Sequence, residues 1–155
     1  LMRECCELGV PVLVDCAYFG ACYGVSIDIA YNCITDVTFS LSKSFPVAYA
    51  RIGIRYTKVD DDDTMFVYHK ISYNNKLGAA LGIKYLENFT PDYIPQKYIQ
   101  KQKDFCNELG INPSATVIFG IDDKNIYNQY NRGGNTNRLS FHKQYIKGLN
   151  FASTE

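Results

Sequence analysis

The sequence predicts a mixed α/β chain: the end of a mainly parallel α/β layer followed by a small α+β domain. Three observations lead there. Three strand-like runs crowd the stretch before residue 60, two helical periodicities fill residues 73–109, and two further short strand-like runs follow residue 115.

Leu1, Cys5 and Leu8 have helical spacing, Gly9 can end that turn, and Pro11 leads into an apolar run. The chain opens without a methionine and in what reads as mid-helix, so an N-terminal portion is expected to be absent. VPVLVD (10–15) is short, β-branched and closed by a carboxylate, the pattern of a central parallel strand flanked by helices. AYFGACYG follows as a loop. TDVTFSLS (35–42) and AYARIGIRYT (48–57) read as the second and third strands, and Asp60 to Asp63 with Thr64 as a solvated turn. From Tyr73 to Asn88 the apolar residues recur at helical spacing, with Leu77, Leu81 and Tyr85 on one face. Pro91 and Pro95 punctuate, and a second helix is expected from Gln96 to Leu109, stopped by Gly110. ATVIFGI (115–121) and NRLSF (137–141) are strand-like, separated by the polar DDKNIYNQYNRGGNT. The domain boundary is expected within residues 73–95.

Composition narrows the function classes. The 155 residues are 46% hydrophobic and 21% charged, an ordinary globular balance for one domain or a piece of something larger. With 16 basic and 16 acidic residues the formal net charge is zero, which argues against nucleic acid or an anionic membrane as partner. No apolar run reaches the roughly 18–20 residues of a spanning helix. The six cysteines contain no C-x-x-C pair and there are only two histidines, so no metal site is expected. Adjacent Cys5 and Cys6, and the crowding of five cysteines into the first 33 residues, fit free thiols in a reducing cytoplasm better than a disulfide framework.

Three local signals carry chemistry. Asp15-Cys-Ala-Tyr18 lies at the carboxyl end of the first strand, Ser40-Leu-Ser42-Lys43 at the end of the second, and Arg51-Ile-Gly53 leads into the third. Ligands of open α/β sheets collect beyond the carboxyl ends of the strands, so these groups converge on one crevice. Each has a plainer reading: Asp15 as a turn residue, Ser40 and Ser42 as a strand end, Lys43 as a solvated cation, Arg51 as a partner for Asp60–Asp63.

The grouping resembles the class I/II aminotransferases, the pyridoxal-phosphate enzymes of the aspartate-aminotransferase fold (fold type I). There, an Asp-x-(Ala/Pro)-Tyr motif precedes Ser-x-Ser-Lys, and an Arg-x-Gly follows the lysine by eight residues, as Arg51 follows Lys43. The resemblance implies that residues 1–75 are the C-terminal part of the three-layer cofactor-binding large domain. Residues 76–155 would then be the interdomain helix and the small C-terminal domain.

It also implies roles. Lys43 would join the cofactor's aldehyde as a Schiff base and then shuttle a proton at the substrate's α-carbon. Asp15 would keep the pyridine nitrogen protonated, so that the ring accepts electrons. Tyr18 would hydrogen-bond the cofactor's phenolic oxygen. Ser40 and Arg51 would hold the phosphate with help from Ser42, a guanidinium fork suiting that dianion. Arg138 would bind the substrate α-carboxylate, with Arg132 as competitor. Pro46 and Tyr49 depart from the family, which has smaller residues there.

The activity implied is exchange of an amino group between an amino acid and a 2-oxo acid, in a cytoplasmic homodimer. The isolated piece is expected to bind cofactor weakly and turn over little. Two alternatives stand beside it: another fold-type I enzyme (lyase, decarboxylase or racemase), or a catalytically silent α/β domain on the same scaffold.

Overall fold

A computed structural model describes residues 1–44, 51–59, 63–141 and 145. The expectations for Pro46, Tyr49 and Asp60–Asp62 lie outside the described residues. The elements are α1 (Met2–Glu7), β1 (Val12–Cys16), β2 (Ile34–Ser40), β3 (Gly53–Thr57), α2 (Thr64–Lys70), α3 (Lys76–Asn88), α4 (Tyr93–Leu109), β4 (Asn112–Pro113), β5 (Phe119–Asp122) and β6 (Asn137–Ser140). The chain is thus mixed α/β, with four helices and two three-stranded sheets among the described residues. It divides into two compact units: Leu1–Gly20 with Val25–Tyr93, and Ala21–Gly24 with Ile94–Glu155.

In the first unit the sheet order is β1-β2-β3, with β1 and β2 parallel and β3 antiparallel to β2. A register shift between Val12 and Leu13 lets β1 pair Val12 with Ile34 and then Leu13 with Asp36. From there Asp15 stands opposite Thr38, Thr38 opposite Arg55, and Ser40 opposite Gly53. Partners across a sheet share a face, so one face carries Leu13, Asp15, Asp36, Thr38, Ser40 and Arg55. The other face is apolar. Cys16, Ile34 and Val37 are buried there, with Met2, Val12, Val14 and Phe39 packed against them.

Beyond an antiparallel β3 in a layer expected to be mainly parallel, and a strand that begins at Phe119 rather than residue 115, three details differ from the sequence expectations. Among the described residues β1 is an edge of its sheet rather than a central strand, and its outward positions Leu13 and Asp15 are exposed. Thr64 opens a helix instead of belonging to a turn, because Asp63 accepts a bond from the Phe66 amide at 2.8 Å and caps α2. The third difference is the buried face of α3, which consists of Gly78 and Gly82, while Leu77 is 82% exposed. A Cβ on Gly82 would come within 3.1 Å of Leu41 and 3.4 Å of Ile52, so the missing side chain lets the helix approach closely.

The second unit packs α4 on the antiparallel sheet β4-β5-β6. Cys106, Ile111, Leu139, Phe141 and Tyr145 are buried together, with Tyr98, Phe105 and Leu109 against them. Polar groups sit deep in this unit. Gln102, fully buried, donates from Nε2 to the carbonyls of Ser114, Thr116 and Phe119 at 2.9, 3.0 and 2.7 Å. Asp122 accepts from the amides of Lys124 and Tyr127 and from the Asn137 side chain, which pins the long polar loop between β5 and β6.

Candidate functional site

Because β1 and β2 are parallel, their carboxyl ends lie at the same edge of the sheet. The loop after β1 and the turn after β2 meet there. The Lys43 ammonium lies over the Tyr18 ring, 5.3 Å from its centroid, a cation–π contact. Two residues on, the contact repeats: a Cβ on Gly20 would run into the Ser44 side chain, which is buried. Glycine at position 20 lets the loop lie against the turn, a constraint that single-residue reading of the sequence passes over.

The turn is anchored from its other side. Leu41 is buried against Ile52, Tyr85, Phe89 and Tyr93, so α3 holds the root of the turn while Lys43 itself is exposed. The Leu41 amide bonds the Ile52 carbonyl at 3.2 Å, joining the turn to the segment entering β3. Gly53 is required on packing grounds as well, since a Cβ there would approach the Phe39 carbonyl oxygen to 2.5 Å.

Asp15 is exposed on the polar face, and its Oδ1 accepts from the Ala17 amide at 2.9 Å. The carboxylate thus closes an Asx turn, and a carboxylate retains capacity for further donors. Ser40 Oγ accepts from the Ser42 amide at 3.2 Å, a similar local turn. Asp15 and Ser40 share the face described above. Arg51 is exposed, two residues before β3, with a left-handed backbone (φ 49°) uncommon outside glycine. The structure therefore gathers Tyr18 and Lys43 directly, and Asp15, Ser40 and Ser42 at the same sheet edge.

Asp63, the described member of the acidic run, is answered by Arg55. Its Nε donates to Asp36 at 2.7 Å and its Nη1 to Asp63. These bonds hold the Asp36 carboxyl below its usual range, with Thr35 assisting, and hold Asp63 low together with the Phe66 amide. Their basic partner is correspondingly raised, chiefly by Asp63 and then Asp36. The network ties β2 and β3 to the start of α2. Beside the site, Cys16 is buried, and burial followed by the Asp15 charge pushes its thiol up, which disfavours a nucleophilic role.

Arg138 belongs to the second unit, on β6, exposed, its guanidinium 4.4 Å from the Phe119 ring centroid. Arg132 is exposed in the glycine turn before β6. Among the described residues no cluster of His, Cys, Asp or Glu could hold a metal ion, and no helix is long and apolar enough to cross a membrane.

The donor set admits pyridoxal phosphate: an amine beside a phenol, a carboxylate on the same sheet edge, two hydroxyls and a guanidinium, all exposed or half-buried. No family model, curated protein or solved structure matches the chain.

Proposed function

We propose that the chain is the C-terminal part of a pyridoxal-phosphate-dependent aminotransferase of the aspartate-aminotransferase fold, acting on an amino acid and a 2-oxo acid as a cytoplasmic homodimer. The observation that carries the reading is the contact of Lys43 with Tyr18 at the carboxyl edge of a parallel strand pair, where Asp15 also lies. The bound cofactor would supply an aldehyde and an electron-accepting ring.

This chain's residues would do the rest. Asp15 is the acceptor for the ring nitrogen's proton. The Tyr18 hydroxyl donates toward the cofactor's phenolic oxygen. Lys43 carries the amine that engages the aldehyde and moves a proton at the substrate α-carbon. Ser40, Ser42 and Arg51 suit the phosphate, since hydroxyl donors and a guanidinium fork match its oxygens. Arg138 suits a carboxylate for the same reason, and Phe119 beneath its guanidinium would limit its motion.

The test is an absorbance titration of the chain with pyridoxal phosphate, repeated with Lys43→Ala and Asp15→Asn. Saturable binding that weakens at least ~10-fold in Lys43→Ala supports the reading. Equal binding by Lys43→Ala would overturn it. Asp15→Asn is expected to weaken binding as well, by a smaller factor than Lys43→Ala.

A further inference from the structure

Cys6, on α1, and Cys33, in the segment entering β2, are 27 residues apart in sequence, yet their sulfurs stand 2.6 Å apart. That is only about half an ångström beyond the ~2.05 Å of a disulfide bond. The Cys33 amide also points at Cys6 Sγ, 3.4 Å away, so the two side chains are oriented as well as near. Cys33 is buried and Cys6 half-buried, which gives one protected and one accessible sulfur. Among the six cysteines this sulfur–sulfur contact unites two of the free thiols. Cys16 and Cys106 are each buried apart.

We infer that Cys6 and Cys33 are a reversible dithiol–disulfide pair that clamps α1 to the entry of β2, with a small-molecule disulfide of the glutathione type as oxidant. The Cys6 thiolate attacks one sulfur of the small disulfide, whose S–S bond breaks and releases one small thiol. The mixed disulfide on Cys6 is then attacked by the Cys33 sulfur after loss of its proton. The Cys6–Cys33 bond forms and a second small thiol leaves. Two protein thiols are oxidised, two electrons pass to the small disulfide, and the two protons end on the two small thiols. The order of attack follows from exposure. It also agrees with the Cys33 thiol being raised, chiefly by its hydrogen bond with Cys6 and then by burial.

The clamp has a structural consequence. α1 is six residues long, too short to persist by its own hydrogen bonds, and it carries no buried residue. Only Met2 of this helix packs against the apolar face of the sheet. Oxidation would fix α1 there and reduction would release it, with α1 lying against the sheet whose opposite end holds the Asp15 carboxylate.

The experiment equilibrates the 155-residue chain in glutathione redox buffers, quenches with acid, alkylates, and maps peptides without reduction. Expected is a linked pair of peptides containing Cys6 and Cys33, two mass units lighter than the dithiol form, reversed by dithiothreitol. Its formation should survive Cys5→Ser and vanish in Cys6→Ser and Cys33→Ser. Thermal melting reads the clamp independently: oxidation should raise the midpoint by roughly 5–10 °C in the wild type and Cys5→Ser, and not in Cys6→Ser. Both thiols staying alkylatable in oxidising buffer, a lasting glutathione adduct on Cys6, or a dominant Cys5–Cys33 link would each overturn the inference.

Discussion

The two units place their polar groups differently. In the second, polar side chains go inside and bond there: Gln102, Asp122 and Asn137 are at most 1% exposed and bond backbone or one another, with the Gln102 Oε1 left without a partner among the described residues. In the first, Asp36 and Ser44 are also buried, but Asp15, Lys43 and Arg51 stand exposed at the carboxyl edge of the sheet. A buried, hydrogen-bonded network fixes one arrangement of its groups. An exposed edge set on a close-packed turn leaves its groups reachable while their backbone is held. One unit holds its polar groups in a fixed interior network, and the other leaves several of its polar groups within reach of solvent.

The largest test compares cores. Phe141→Ala should cost about 3–5 kcal/mol and Leu41→Ala about 2–4 kcal/mol by urea unfolding. Hydrogen exchange should rise first in α4, β5 and β6 for Phe141→Ala, and in α3 and the 41–44 turn for Leu41→Ala. If both variants loosen the same amides, the contrast between the units fails.

Gly53→Ala meets a backbone carbonyl, which cannot rotate away as a side chain can, so a loss of about 1–3 kcal/mol is expected. Urea unfolding measures it, and Gly134→Ala is the control, because open space surrounds a Cβ there.

The pH dependence separates the units again. Asp36 and Asp63 are held low by Arg55. Burial tends to raise Asp122, but Asn137 and the backbone amides of Tyr127, Ile126 and Lys124 outweigh it and hold it low. A carboxyl whose folded pKa lies below its unfolded value stabilises the fold above the unfolded value, near ~3.9, and loses that contribution as pH falls through the folded value. Unfolding free energy should therefore fall below about pH 4. In Arg55→Met the fall should shrink by the share of Asp36 and Asp63, leaving that of Asp122. An unchanged acid limb would rule out the Arg55 network as its source.

How much of this was legible in the sequence turns on particular residues. The parallel pair and the meeting of the Asp15–Tyr18 loop with the Lys43 turn follow from apolar runs ended by polar residues. α3 misleads because Leu77, Leu81 and Tyr85 at helical spacing suggest one buried stripe, whereas of the three only Tyr85 packs on Leu41 and close approach selects Gly78 and Gly82. Helical periodicity detects where side chains are and is blind to a contact made by their absence. Likewise α2 was hidden because Asp63 reads as one more charge of an acidic run until its cap to Phe66 is seen. The Asp122 network escaped because its members are spread from residue 122 to 137 in a polar stretch that reads as open loop.

The smallest expected effect makes the α3 point quantitatively. Leu77→Ala, at 82% exposure, should change stability by no more than about 0.5 kcal/mol, against the far larger loss at buried Leu41. A large loss at Leu77 would mean that this face is covered.

Reductive trapping tests the central claim most directly. The chain is incubated with pyridoxal phosphate, reduced with borohydride, digested and mapped for phosphopyridoxyl-lysine. Label is expected on Lys43 in about tenfold excess over any other lysine, sharply reduced by prior addition of an amino acid. Label spread evenly over the lysines, with none preferred at position 43, would contradict it.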